Sequence, residues 1–356
     1  MMKWEFIVKE KDVFEDQAIT QLCGLLRQVP VIDNVDAEKQ FSRVDAVLNV
    51  RTGNTAYLLA CEVKSNGQPR FIQAAIAQLQ AFMFSAEDAF VPVIIAPWLS
   101  PEAQALCNEN GIAFLDMEGN ARIMFGGIYI EHQTTNKPAV EKRSLRSLFS
   151  PKSAQVLRTI LKDPHRIWRV LELAEESHVS LGQVSNVRQS LLNRNWAIVH
   201  NNGLSVLKPD LILDAWKTSY QPPAGEALSF YTTLHGSTLE SRLREVLCCS
   251  EKAGKAILAS FSAAQWLAPY GRTGVDYFYA DKKGLEKLVS ALQLSPSLKG
   301  ANILITLPKD SGIFRDSIEP AEGVFSTGAV QTYLDLTTYG ERGLEAAEHL
   351  RNQGIW

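Results

Sequence analysis

FSRVDAVLNV (41–50), RTGNT (51–55), AYLLACEVKS (56–65) and QPRFIQAAIAQLQAFMF (68–84) form the stretch that decides the fold. Two apolar segments, 44–50 and 56–63, flank a loop holding Gly53-Asn54, which signals a hairpin. Asp45 stands near the start of the first segment, and the second ends in Glu62-Val63-Lys64. Residues two apart in a strand share a face, so Glu62 and Lys64 point the same way. Antiparallel pairing across the loop brings the start of the first segment to the end of the second. Asp45 is therefore expected beside Glu62 and Lys64. Two carboxylates and an ammonium around one point can hold Mg²⁺ through hard oxygen ligands. The lysine can orient a water or stabilise charge on a phosphate. The same residues also fit a surface aspartate and an edge-strand Glu/Lys pair, and spacing alone leaves both readings open.

Working outward, residues 12–28 show helical spacing at Val13, Ala18, Ile19, Leu22, Leu25 and Leu26, with Glu15 on the same segment. Residues 1–8 read as a short apolar strand. Residues 68–84 read as a helix carrying Gln78. FVPVIIAPWL (90–99) is a continuous apolar run, as expected of a buried strand. Ser100-Pro101 starts a helix that Asn110-Gly111 ends. IAFLD (112–116) reads as another buried strand, and MEGNARIMFGGIYIE (117–131) as a turn with one or two edge strands. This order predicts an α/β domain. The ordered set of helix Glu, strand Asp, hairpin, Glu-x-Lys and Gln helix resembles the PD-(D/E)xK nuclease superfamily of restriction-endonuclease-like folds, over about residues 10–135. The resemblance implies Asp45 and Glu62 as Mg²⁺ ligands, Lys64 as the catalytic lysine, and Glu15 and Gln78 as supporting residues. Phe82 stands where that superfamily often has a tyrosine, four residues after the glutamine.

The 356 residues suffice for two or three domains, and 46% hydrophobic with 21% charged residues is ordinary for a soluble protein. A net charge of −3 rules out a globally basic nucleic-acid binder, so any basic surface is local. No apolar run reaches transmembrane length, and the start lacks a secretory apolar region. Cys23, Cys61, Cys107, Cys248 and Cys249 lack C-x-x-C spacing and read as thiols in a reducing cytoplasm. The adjacent pair Cys248-Cys249 reads as helix interior.

Residues 133–153 are polar and basic, and read as a linker into a new domain. Helices are then expected over Ser153–Leu161, Trp168–Ser177 and Gln183–Asn195, followed by the hairpin WAIVHNNGLSVL (196–207) with Asn202-Gly203 at its turn. Three helices closed by a hairpin form a winged helix-turn-helix, whose third helix enters the major groove. Its outward residues are Gln183, Ser185, Asn186, Arg188 and Gln189; arginine can pair with guanine, and glutamine or asparagine with adenine. Lys137–Asp210 holds twelve basic against six acidic residues, a local surplus suited to phosphate. A protein-interaction or dimerisation module remains open for this segment.

QPPAG (221–225) marks a second boundary. Beyond it TLESRLREVLCC reads as a helix, AILASFSAAQWLAPYGR as a strand and a small-residue helix, VDYFYAD, NILITLP and VQTYLDL as strands, and TYGERGLEAAEHLR as a closing helix. FSAAQWLAP, VQTYLDL and GERGLEAAEHLR resemble the C-terminal region of AbiEi-type antitoxins, winged-helix repressors of type IV toxin–antitoxin systems; FLDMEGNARI (114–123) resembles a segment of larger members. The expected fold is α/β: a restriction-endonuclease-like domain at 1–135, a winged helix-turn-helix at 150–215 and an AbiEi-like α/β domain at 225–356. The expected function is a DNA-binding transcriptional regulator. The alternatives are a Mg²⁺-dependent DNA endonuclease targeted by its winged helix, and a protein-interaction scaffold of a defence operon. Expected partners are double-stranded DNA, a toxin or defence-system protein and a second copy of the chain, in the cytoplasm and without a membrane.

Overall fold

The computed structural model describes residues 2–39, 43–250, 254–271, 273–297 and 299–354, so Phe41 and Ser42 of the opening stretch lie outside the described residues. The chain packs as two compact units, 1–143 with 192–195, and 144–191 with 196–356.

The first unit begins with α1 (Met2–Arg27). This corrects the strand expected at 1–8. No glycine or proline interrupts the chain before Gly24, so nothing breaks the helical phase set by Ala18, Leu22 and Leu26. The sheet holds β1 (Asn34–Lys39), β2 (Ala46–Thr52), β3 (Thr55–Val63), β4 (Phe90–Ala96), β5 (Ala113–Asp116), β6 (Ala121–Phe125) and β7 (Ile128–His132), in that spatial order. Pairing is antiparallel from β1 to β3, parallel from β3 to β5 and antiparallel from β5 to β7. β1 was not legible, because NVDAEK is a polar edge strand in which Val35 is the buried apolar residue. Period-2 alternation splits the apolar side chains between two layers. Leu48, Leu59, Val93 and Leu115 pack with Leu22 and Leu26 of α1. Val47, Ala60, Ile94 and Phe114 pack with α2 (Pro69–Ser85) and α3 (Pro101–Glu109) through Ile72, Leu79 and Ala103. The segment expected as a polar linker contains α4 (Ala139–Leu148), which buries Leu145 and Leu148.

In the second unit, the helices expected after the linker appear as α5 (Pro151–Lys162), α6 (Val170–Ser177) and α7 (Leu181–Asn193). β8 (Ala197–His200) and β9 (Gly203–Val206) form an antiparallel hairpin, and α8 (Pro209–Ser219) follows. Asn201 and Asn202 make the turn, not Asn202-Gly203; Gly203 already pairs with His200. Next come β10 (Gly225–Tyr231), α9 (Gly236–Val246), β11 (Cys248–Ser250), β12 (Gly254–Leu258), α10 (Ser260–Leu267), β13 (Asp276–Ala280) and α11 (Lys282–Ala291). The chain continues through β14 (Ser295–Pro296), β15 (Ile303–Pro308), a 3₁₀ turn (Ser311–Phe314), β16 (Ile318–Ala321), β17 (Val324–Ser326), α12 (Ala329–Leu336) and α13 (Gly340–Asn352). The strands form a mixed sheet in the order β14-β10-β15-β13-β12-β17-β16, with β11 beside β12.

Two expectations fail here. VQTYLDL lies in helix α12, not a strand: Val330 to Leu336 are all buried, and a helix packed on every side leaves no period to read. Cys248-Cys249 begin β11 instead of lying inside a helix. The run Val246-Leu247-Cys248 passes from helix to strand without a glycine or proline to mark the change. Cys23, Cys61 and Cys107 are free thiols, and burial pushes all three up. Among the described residues no helix is long and apolar enough to cross a membrane.

Candidate functional site

The β2–β3 register runs from Thr52 opposite Thr55 to Ala46 opposite Cys61, around a two-residue turn in which Gly53 takes φ 56°. A left-handed φ suits glycine, which has no Cβ to clash. Asp45 continues the pairing: its N–H donates to the Cys61 carbonyl at 3.1 Å, and its Oδ2 accepts the Val63 N–H at 2.7 Å. Glu62 shares the α2 layer with Ala60 and is 2% exposed. Lys64 Nζ donates to Glu62 Oε1 and, at 3.3 Å, to Gln78 Oε1 on α2. Gln78 Nε2 then donates to the Arg43 carbonyl at 3.2 Å.

Glu62 Oε2 is buried with no hydrogen-bond partner among the described residues. Burial pushes the Glu62 carboxyl above its ordinary value; the Lys64 hydrogen bond opposes this and the neighbouring Asp45 adds to it. Asp45, Glu62, Lys64 and Gln78 therefore stand together. Glu15 sits on α1, which packs into the other layer of the sheet. Among the described residues no group of three or more His, Cys, Asp or Glu side chains is placed to hold a metal ion. The donor set is thus a pair of carboxylates. Mg²⁺ commonly takes one or two carboxylates and fills its octahedron with water and phosphate oxygens, so the pair fits that ion. The phenyl ring of Phe82 lies in the core 5.0 Å from that of Phe90, a packing role that needs no hydroxyl.

Sequence reasoning missed Asp116, the aspartate of FLDMEGNARI. It is fully buried, and its carboxylate accepts the N–H groups of Leu99, Glu118 and Asn120 and the Asn120 amide. It ties the β5–β6 turn to the start of α3, and nothing in its spacing announces this.

On α7, Val184, Val187, Leu191 and Leu192 are buried, while Ser185, Asn186 and Gln189 are exposed and Arg188 is half-buried. The Gln183 amide donates to Ser153 Oγ at 2.7 Å and so joins α7 to α5. The α6–α7 turn starts at His178 with φ 52°, and Ser180 Oγ accepts the Gln183 N–H at 3.3 Å. Trp168 exchanges backbone hydrogen bonds with Leu204, adding a third extended segment beside the hairpin.

Several charges counted in the basic stretch are committed inside the protein. Arg194 pairs with Glu141 in a buried contact of 2.8 Å, and Arg158 Nε stands 2.7 Å from Asp316 Oδ2. Arg166 binds Glu172 and Glu176 and lies over the Trp168 ring. α5 was expected to be amphipathic, yet Ser153 through Leu161 are all buried. Its arginine faces the C-terminal elements of the same unit: Arg158 also donates to Gln331 Oε1 on α12 and to the Gly312 carbonyl.

Comparison with known proteins found no match among curated proteins and none among solved structures. Residues 205–356 match the family model described as transcriptional regulator, AbiEi antitoxin, type IV toxin–antitoxin system. The match contains FSAAQWLAP, VQTYLDL and GERGLEAAEHLR, and it starts within β9, after the three helices.

Proposed function

We propose that this chain is a DNA-binding transcriptional regulator of the AbiEi antitoxin kind, with α5–α7 and the β8–β9 hairpin as a winged helix-turn-helix. The carrying observation is α7 itself. It buries one apolar side and presents Ser185, Asn186, Arg188 and Gln189 on the other, directly ahead of the segment that matches the antitoxin family. A helix of this kind reads base edges in the major groove while nearby lysines and arginines neutralise phosphates. A toxin encoded with the regulator is the expected protein partner, and a second copy of the chain would supply a second half-site. The test is fluorescence anisotropy of the full chain on a duplex selected from random sequence. Binding should weaken steeply with salt. Arg188→Ala should cost about 1–3 kcal/mol and relax preference at one base position. No duplex binding at low salt, or binding indifferent to both Arg188→Ala and Asn186→Ala, removes this reading.

A second reading of the first unit is favoured by the buried, unpartnered Glu62 Oε2 beside Asp45 and Lys64. Asp45 and Glu62 would hold Mg²⁺, which supplies charge neutralisation and a more acidic water at a phosphodiester. Lys64, held by Glu62 and Gln78, would stabilise charge on the phosphate. Glu62→Gln keeps the shape and removes the charge. It should abolish Mg²⁺ or Mn²⁺ binding measured by calorimetry, and with it any DNA cleavage, while duplex binding persists. A chain that binds neither ion leaves Asp45, Glu62 and Lys64 as a structural cluster and the protein as a regulator alone.

A further inference from the structure

A cavity of about 250 Å³ lies on the sheet of the second unit, between β10, β13, β15 and the end of α12. That is just below the range of about 300–1,000 Å³ usual for small-molecule sites, so a compact ligand fits. Tyr277, Tyr279, Tyr339, Leu304, Thr306 and Asp335 contribute to its wall. Exposed Ala227 and Tyr339 belong to the lining, so the cavity can be reached from solvent. Among the described residues no Lys, Arg or His lines it.

Asp335 is the chemical anomaly. It is 3% exposed, and its Oδ1 accepts hydrogen bonds from Tyr220, from Gln331 at 2.9 Å and from Tyr279 at 3.1 Å. Its Oδ2 has no hydrogen-bond partner among the described residues. The neighbouring buried cation, Arg158, is paired with Asp316. Arg158, Asp316 and Asp335 together carry one uncompensated negative charge. Burying such a charge is costly unless a cation meets it, and burial pushes the Asp335 carboxyl up to about 6. Phenol faces attract cations through their negative π-clouds. An anionic ligand would find no counter-charge among the described residues that line the wall.

We propose that this cavity binds a small organic cation, an amine or guanidinium, recognised by Asp335 and the rings of Tyr277, Tyr279 and Tyr339. The site goes beyond the DNA-binding reading and does not depend on it. Isothermal titration calorimetry on the full chain tests it, with butylguanidine as the probe and 4-guanidinobutyrate as its comparison. Butylguanidine should bind saturably. The carboxylate of the comparison finds no basic partner among the described lining residues and should weaken binding by about tenfold or more.

Asp335→Asn keeps the size of the side chain and removes the charge, and should weaken butylguanidine binding by about tenfold or more. Ala227→Trp blocks the cavity from an exposed strand position, where the fold tolerates bulk, and should do the same; it decides the matter if Asp335→Asn does not fold. The proposal is overturned if the wild type shows no saturable binding up to roughly 10 mM, a very weak affinity on the free-energy scale. Binding that survives in every folded variant of the two overturns it equally.

Discussion

Replacing Arg158 by methionine keeps a long side chain in α5 and removes the guanidinium. In the wild type Nε stands 2.7 Å from Asp316 Oδ2, Nη1 donates to Gln331 at 3.1 Å and Nη2 to the Gly312 carbonyl at 3.4 Å. Both ionic partners are nearly buried, with side-chain exposures of 7% and 11%. Loss of one partner leaves the Asp316 carboxylate in low dielectric with its charge unmet, which costs about 3–5 kcal/mol. For a unit of roughly 200 residues each kcal/mol moves the melting temperature by about 2–4 °C, so the midpoint should fall by roughly 6–20 °C. Scanning calorimetry of the full chain measures it. The double variant Arg158→Met/Asp316→Leu removes both charges and should recover much of the loss, since the destabilisation lies in the stranded charge. A loss below about 1 kcal/mol, the range of exposed pairs, would refute the reasoning, as would additive single and double variants.

Three further outcomes are expected. The Asp335 carboxyl, raised from 3.8 to about 6 by burial, holds its proton more tightly in the folded state than in the unfolded one; stability should fall by about 3 kcal/mol as pH rises from roughly 4 to 6, and denaturant titrations of Asp335→Asn should lack that slope. Asp116→Ala removes the acceptor for three backbone N–H groups and the Asn120 amide, and should destabilise the first unit by about 3–5 kcal/mol in urea melts; a loss under about 1 kcal/mol would contradict the buried network. Gly203→Ala places a Cβ 2.5 Å from the Trp168 carbonyl oxygen, costs about 1–3 kcal/mol and should speed hydrogen exchange at the Trp168 and Leu204 amides; unchanged protection there would contradict the close approach.

The hairpin was legible because two local signals agree. The turn dipeptide sets the register and period-2 alternation sets the face, which together carry Asp45 to Glu62 and Lys64. Gln78 came from the family resemblance, which expects a glutamine on the helix after the Glu-x-Lys strand. What stayed hidden had no local signal. β1 is polar, α12 is buried on all sides, and Arg158 of α5 makes its contacts with Gln331 and Gly312, more than 150 positions away. The cavity at Asp335 was hidden for the same reason. Its wall joins β10, β13, β15 and α12, and the segment that supplies Asp335 reads as a strand until the fold turns it into a helix.

The internal ion pairs also sharpen the electrostatic case for α5–α7. Within the second unit the chain up to Asp210 carries eight basic residues, Arg146, Lys152, Arg158, Lys162, Arg166, Arg169, Arg188 and Lys208. It carries five acidic ones, Asp163, Glu172, Glu175, Glu176 and Asp210. Internal pairing takes Arg158 and Arg166 from the first set, and Glu172, Glu176 and Asp210 from the second, the last through Arg351. Pairing therefore withdraws more acid than base. Outside those pairs stand Arg146, Lys152, Lys162, Arg169, Arg188 and Lys208, all exposed or half-exposed, against Asp163 and Glu175. If every one of the six met a phosphate, the logarithm of affinity would fall against that of salt with a slope of about −5, since each contact contributes about −0.9. A basic surplus thus survives in this segment of a chain whose net charge is −3, because three of its five acids are already paired with arginines.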